Sequence, residues 1–323
     1  MTEHAITASV APATAQTSRS EVIGFLILTA FVITAPLFIY PVLMMKILCF
    51  ALFACAFNLL IGYVGLLSFG HALYFGWAAY VSAYVAKAWG FTPELAIIVG
   101  TLTGAVLGLV AGAIAIRRQG IYFAMITLAL AQMMYFFAVQ APFTGGEDGI
   151  QAVPRHRLFG LIDINNTVGM YTLVALIFLV GFLLIYRIIN SPFGEVLKAI
   201  RENEARAISL GYKTDRYKLL AFVLSAALSG TAGATKALVV QLASLTDVHW
   251  SMSGEVVLMT LVGGLGTIFG PIVGAFVIIY MQNALAEFGQ WVTIIQGCIF
   301  VVCVLLFRRG IVGELAGLLR IRL

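Results

Sequence analysis

The sequence predicts an all-α, polytopic membrane bundle of about ten transmembrane helices, and three observations predict it. Of 323 residues, 62% are hydrophobic and 10% charged, where soluble domains average about 45–50% and about 25%. The apolar runs have the length of membrane-crossing helices, about 20 residues, rather than the ten-residue alternation of barrel strands. Basic residues, finally, gather between the runs, as they do when a chain is threaded through a bilayer with its Lys/Arg-rich loops on the cytoplasmic side.

Taken in order, residues 1–20 are rich in Ala, Thr and Ser and read as a disordered cytoplasmic tail. The apolar run 22–40 is too long for a signal-peptide core and lacks a small-x-small site after it, so it reads as a retained first span. Further spans fall at 42–61, 70–89, 94–116, 120–140, 169–189, 218–242, 253–266, 268–286 and 290–307. Gly263-Gly264-Leu265-Gly266 and Gly270-Pro271 interrupt one long apolar stretch between the eighth and ninth. Charge settles whether they are one span or two. With ten spans and both termini cytoplasmic, fourteen of the nineteen Lys and Arg residues fall inside: Arg19, Arg117, Arg118, Arg187, Lys198, Arg201, Arg206, Lys213, Arg216, Lys218, Arg308, Arg309, Arg320 and Arg322. Fusing the two spans would put the basic tail 314–323 outside. Span eight is then short, which predicts a broken or tilted helix packed against protein or a water-filled cavity. The domain is thus expected over 21–313, with an outer loop at 141–168 and a large cytoplasmic loop at 190–218.

Gly100, Gly104, Gly108 and Gly112, and again Gly266, Gly270 and Gly274, recur every four residues. Small residues at that spacing line one helix face and predict close internal packing. Cys49, Cys55, Cys298 and Cys303 sit in apolar runs without metal-type spacing and read as core residues.

No GxxxxGK[ST] phosphate loop, HExxH, paired-cysteine or GxSxG pattern is present, so the residues offer no ATPase site, no metal or cofactor site and no enzyme. Nothing points to nucleic acid. Ionisable groups at membrane depth, which an ion-coupled carrier uses, are also scarce. Lys46, Lys87 and Lys236 lie near outer helix ends, where their ammonium groups are expected to snorkel. The mid-span polar groups are neutral, and include Asn58, Thr127 and Gln132. His156 and His249 fall in outer loops, while His71 opens span three beside Ser68 and Gly70. Asn58, Ser68, His71 and Gln132 are the polar candidates for a translocation path, with ordinary interhelical hydrogen bonding as the alternative.

The loop 190–218 is the one densely charged part of the chain. Burying a single Lys or Asp at a helix centre costs about 2.5–3.5 kcal/mol, so it lies in water. Ser191-Pro192 is a helix start, with a capping hydroxyl and a proline suited to the first turn. No breaker other than Gly194 follows until Gly211, which suits a left-handed cap. One amphipathic helix over 192–210 is expected. Glu202 and Glu204 suit an anionic lipid surface poorly and favour docking on a protein.

Gly65-Leu-Leu-Ser-Phe-Gly-His71, Gly120-Ile-Tyr-Phe-Ala-Met-Ile-Thr-Leu128, Thr144-Gly-Gly-Glu-Asp-Gly149, Ser191-Pro-Phe-Gly194 and Ala199-Ile-Arg-Glu-Asn-Glu204 resemble the permease subunits of branched-chain amino acid ABC importers, and more closely the larger of their two permeases. The resemblance runs from about span two to Gly313. It implies a bacterial inner-membrane location, with membrane lipid around the helices. It also implies three further subunits and one soluble partner: a second, related permease, two ATPases that bind the ATP, and a periplasmic binding protein. The cytoplasmic loop would then be the coupling helix, with Arg201, Glu202, Glu204, Arg206 and Gly211 as its ATPase-facing residues. In the general importer pattern Glu-Ala-Ala precedes a glycine; here Glu204-Ala205 is followed by Arg206, and Gly211 is one place late. Glu147, Asp148, Arg155 and Arg157 of the outer loop would meet the binding protein. The implied cargo is a branched-chain or similar small amino acid. A urea or short-amide permease of the same family, and a stand-alone ion-coupled carrier, are the alternatives.

Overall fold

The computed structural model describes residues 19–158, 164–289, 291–306 and 310–319. Most of the expected tail 1–20, together with Arg308, Arg309, Arg320 and Arg322, lies outside the described residues. The helices are α1 (Arg19–Thr34), α2 (Pro41–Ile61), α3 (His71–Ala88), α4 (Pro93–Ala115), α5 (Ile121–Gln140), α6 (Thr167–Ile189), α7 (Pro192–Glu202), α8 (Glu204–Ser209), α9 (Thr214–Val240), α10 (Leu245–Val248), α11 (Trp250–Gly263), α12 (Gly270–Ala284), α13 (Trp291–Leu306) and α14 (Gly310–Leu319). Two short strands, β1 (Ile150–Gln151) and β2 (Leu242–Ala243), pair antiparallel, with Ile150 opposite Ala243. A helix lies on each of the ten apolar runs. Among the described residues α2, α4, α5, α6 and α9 are long and apolar enough to cross a membrane by themselves.

Prolines sit in the first turns of α2, α4, α7 and α12, where a missing N–H leaves no bond unmade. Asn166 and Ser191 cap α6 and α7 by accepting from Val168 N and Gly194 N. α2 is apolar all round and buried nearly all round, as a central helix should be. Beside it α9 packs against α3 and α4 as well as α2. The other long helices turn one face outward, with Leu102, Val106 and Leu109 of α4 and Met125, Met133 and Phe136 of α5 exposed.

Glycines decide how near α4 comes to α9. A Cβ on Gly104 would lie 2.7 Å from Ala226 O and 3.0 Å from Gly230 Cα, and one on Gly100 2.6 Å from Ala234 Cβ. The four-residue glycine spacing is an internal packing seam.

The eighth and ninth spans are two short antiparallel helices, α11 and α12. Their 14 and 15 residues, at about 1.5 Å each, fall short of the roughly 30 Å hydrocarbon thickness. They pack backbone to backbone: a Cβ on Gly274 would stand 1.8 Å from Met259 O, and one on Gly263 1.9 Å from Gly270 O. Gly266 is not part of that helical seam. It lies in the connecting loop at φ +73°, a left-handed conformation that glycine adopts at little cost.

Two further expectations are corrected. The loop helix is broken in two, because Asn203 leaves helical geometry (φ −156°, ψ 97°) and its side chain accepts from Arg206 N to start α8. Asparagine's short amide competes with the backbone for that bond. The expected boundary between 313 and 314 also falls inside a helix, since α14 runs from Gly310 to Leu319 and packs on α11 and α12.

Candidate functional site

At one end of the bundle the two short helices α7 and α8 are laced to the ends of the spans. α7 buries Gly194, Leu197 and Ile200 and exposes Glu195 and Glu202. Phe193 stacks on Tyr217 of α9 at 5.7 Å. The Arg201 guanidinium donates to the Gly62 carbonyl just beyond α2. Its stem lies over Gly65, where a Cβ would meet Arg201 Cγ at 3.1 Å. Glu204 pairs with the buried Lys218 of α9 at 2.5 Å and accepts from Gln119 Nε2, in the α4–α5 connection, at 2.9 Å. Ala205, Arg206 and Gly211 are exposed. Gly211 adopts φ +89° after α8, and its N–H donates to Ile208 O, the cap expected of it.

Of the coupling candidates, then, Arg201 and Glu204 spend their charges inside this chain. Glu202 and Arg206 are the exposed charges left for another surface.

Asn58 extends this connection inward. Its amide donates to Thr267 O at 2.9 Å and its oxygen accepts from Gly266 N at 3.0 Å, so α2 holds the loop between α11 and α12. That loop in turn touches Gly310 at the start of α14, whose Cβ would fall 2.4 Å from Gly264 Cα. Arg201, the Gly62–Gly65 turn, Asn58 and the Gly264–Phe269 loop form one connected group.

The other path candidates lie deeper. Ser68 is fully buried and its hydroxyl accepts from Gly70 N. His71 is fully buried, with Nε2 bonded to Ser225 Oγ at 2.9 Å and the rings of Phe57, Tyr74 and Phe222 around it. Ser225 Oγ in turn donates to Ala56 O. His71 and Ser225 therefore tie α3, α9 and α2 together, whereas Ser68 bonds only its own turn and Asn58 the α11–α12 loop. Gln132 is half-buried on α5, apart from this network.

At the opposite end β1 and β2 join the 141–158 loop to the end of α9. Arg155 donates to the Leu238 and Val239 carbonyls at 3.0 and 2.5 Å, and partial burial holds its pKa below the ordinary guanidinium value. It caps α9 instead of facing outward. Glu147, Asp148 and Arg157 are exposed. His156 is half-buried, and His249 caps α11 with its ring against Tyr135 at 5.3 Å.

One feature was not expected. Lys236 does not snorkel: it is buried and forms an ion pair with buried Asp247 at 2.7 Å. Asp247 also accepts from Ser244, closing a capping box on α10. A lysine inside the alanine-rich run TAGATKALVV was the signal for it, but its partner sits beyond a chain reversal.

Among the described residues, ten apolar helices, α2 and α9 central among them, with an amphipathic helix pair tied across one end, define a polytopic membrane bundle. The family described as branched-chain amino acid transport system / permease component matches residues 41–307, and the chain belongs to it. It is 26% identical over 277 residues to the high-affinity branched-chain amino acid transport system permease protein LivM of Escherichia coli K12, covering 79% of this chain and 65% of the relative. The LivM of Salmonella typhimurium LT2 is 25% identical over the same shares. A probable branched-chain amino acid transport permease protein LivH of Methanocaldococcus jannaschii is 25% identical over 215 residues, 62% of this chain and 65% of that one. The chain thus spans just under two thirds of the length of these relatives. No solved structure matches it significantly. Membership and the spanning helices make it a multi-pass protein of the inner membrane.

Proposed function

We propose that this chain is the LivM-type permease of an ABC importer, carrying branched-chain or similar small amino acids inward beside a second, related permease. Two ATPases would supply the energy and a periplasmic binding protein the cargo. The observation that carries this reading is the α7–α8 pair. It is an exposed helical element whose inner face is bonded through Arg201, Glu204 and Phe193 to the spans, and whose outer face offers Glu202 and Arg206. An ATPase cleft gripping that outer face would move the ends of α2 and α9 and the α11–α12 loop together. ATP closure in the partner then biases the arrangement of helices on which passage depends.

Gentle solubilisation should recover the chain with ATPase subunits, and reconstituted vesicles should take up leucine only with ATP and the binding protein. The Glu202→Ala/Arg206→Ala double variant should keep assembly while uptake per ATP hydrolysed falls at least several-fold. Uptake by the isolated chain without ATP would refute the importer reading.

A further inference from the structure

Between α6 and the α4–α9 pair the bundle leaves a cavity of about 360 Å³. Its walls include Thr101 of α4, Leu176, Val180 and Leu184 of α6, and Leu224 and Ala227 of α9. It exists because α6 packs along α2 and meets α9 only sparingly, while the glycine seam keeps α4 close to α9. Leu176, Val180 and Leu184 are exposed, so the cavity opens sideways, toward the medium around the spans.

The chemistry of the walls limits the occupant. Their hydroxyls belong to Thr101 and Thr231, which bond one another at 2.9 Å and reach the Ile97 and Ala227 carbonyls of their own helices at 2.8 and 3.0 Å. The rest of the lining is apolar. Such a space offers water and charged cargo no partners, yet its volume falls within the roughly 300–1,000 Å³ of ligand pockets.

Helix periodicity carries the same faces to two arginines. On α6, Arg187 stands three residues after Leu184; on α9, Arg216 stands four before Leu220, itself four before Leu224. These spacings keep to one helix face. Both arginines are exposed, and the ion pairs found among the described residues are made by other side chains. Beside them in the chain Asp215 is balanced by Lys213. α7 joins the two helix ends, with Phe193 stacked on Tyr217 of α9. From Arg187 back to Leu176 is 11 residues, about 16 Å along a helix. That is close to half of the roughly 30 Å hydrocarbon thickness, the depth of one leaflet.

We infer that this groove binds one anionic phospholipid of the surrounding bilayer, its phosphate held by Arg187 and Arg216 and one acyl chain laid between α6 and α9 as far as Thr231. A guanidinium presents paired donors that match phosphate oxygens, and the apolar walls take the chain. The inference rests on the membrane placement of the spans, not on the direction or cargo of transport.

The test uses the purified chain with the subunits that accompany it, in nanodiscs of equal parts phosphatidylcholine and phosphatidylglycerol, released for native mass spectrometry. Wild type should retain phosphatidylglycerol over phosphatidylcholine at least fivefold. Arg187→Gln/Arg216→Gln should cut that preference at least threefold, whereas Arg187→Lys/Arg216→Lys, which keeps the charge, should stay within twofold of wild type. Ala227→Phe, which fills the cavity, should lower retained phosphatidylglycerol at least threefold. A wild type without preference overturns the site, as does a glutamine pair indistinguishable from wild type or full retention in Ala227→Phe. Should Ala227→Phe fail to fold, Val180→Phe at the exposed rim takes its place under the same two outcomes. Loss of an accompanying subunit from the filled variant, with its lipid retained, would assign the groove to a protein helix and likewise overturn the inference.

Discussion

Arg155 shows how a charge in an outer loop is turned inward. Two carbonyls at the end of α9 lack helical partners, and a planar guanidinium supplies two donors at a fixed spacing. Arg155→Ala should therefore destabilise the protein by about 1.5–3 kcal/mol, read as a lowered melting temperature in detergent, while Arg157→Ala leaves it unchanged. The Lys236–Asp247 pair makes a sharper prediction. Removing one partner strands a buried charge, at a cost of about 3–5 kcal/mol, whereas removing both leaves none. Asp247→Asn should melt well below wild type, and Lys236→Met/Asp247→Leu should recover most of the difference. An additive double variant would mean the two side chains act independently. Position alone could not reveal either role. Arg155 and Lys236 are charged residues near helix ends in the sequence, and only their neighbours across 83 and 11 positions decide that they are occupied.

Among the elements, glycine spacing was the most legible signal. Four-residue repeats in α4 and at the α11–α12 pair say that a backbone comes close, although not whose. The structure supplies the partners, α9 in one case and each other in the second. Gly274→Ala, with a Cβ 1.8 Å from Met259 O, should force the pair apart and cost about 1–3 kcal/mol or more, read as a several-fold drop in folded yield. Gly297→Ala in α13, where a Cβ meets nothing within 4 Å, should be neutral or stabilise by about 0.5–1 kcal/mol. The charged loop was half legible. Its start at Ser191-Pro192 and its end at Gly211 follow from local chemistry, because a cap and a left-handed turn involve only adjacent residues. The break at Asn203 was missed, since asparagine inside a run of helix formers is tolerated until tertiary contacts favour its capping geometry. Arg201 and Glu204 are anchored on different spans, and one continuous helix would have to satisfy both anchors without the bend. Asn203→Leu should accordingly weaken coupling, seen as uptake per ATP falling about two- to tenfold, with Asn203→Asp retaining it because aspartate also caps well.

On the scale of the whole molecule, the expected sidedness makes a simple prediction. With ten crossings, the loop bearing Asp148 and the pair α7–α8 lie on opposite faces of the membrane. In intact cells an impermeant thiol reagent should label Asp148→Cys and spare Arg206→Cys, in a background lacking Cys298 and Cys303. Labelling of both would break the crossing count. The sequence by itself determined the class of medium, the number and order of apolar helices, the seams of small residues and the place of the charged helical loop. All of these follow from hydration and from local backbone preference, which act along the chain. The tertiary structure alone decided which charges are spent inside and which are left to act. It joined Arg201 to Gly62, Asn58 to the Gly266–Thr267 backbone and Lys236 to Asp247. Electrostatic and hydrogen-bond energies fall off over a few ångströms of space, and distance along the chain does not measure that space.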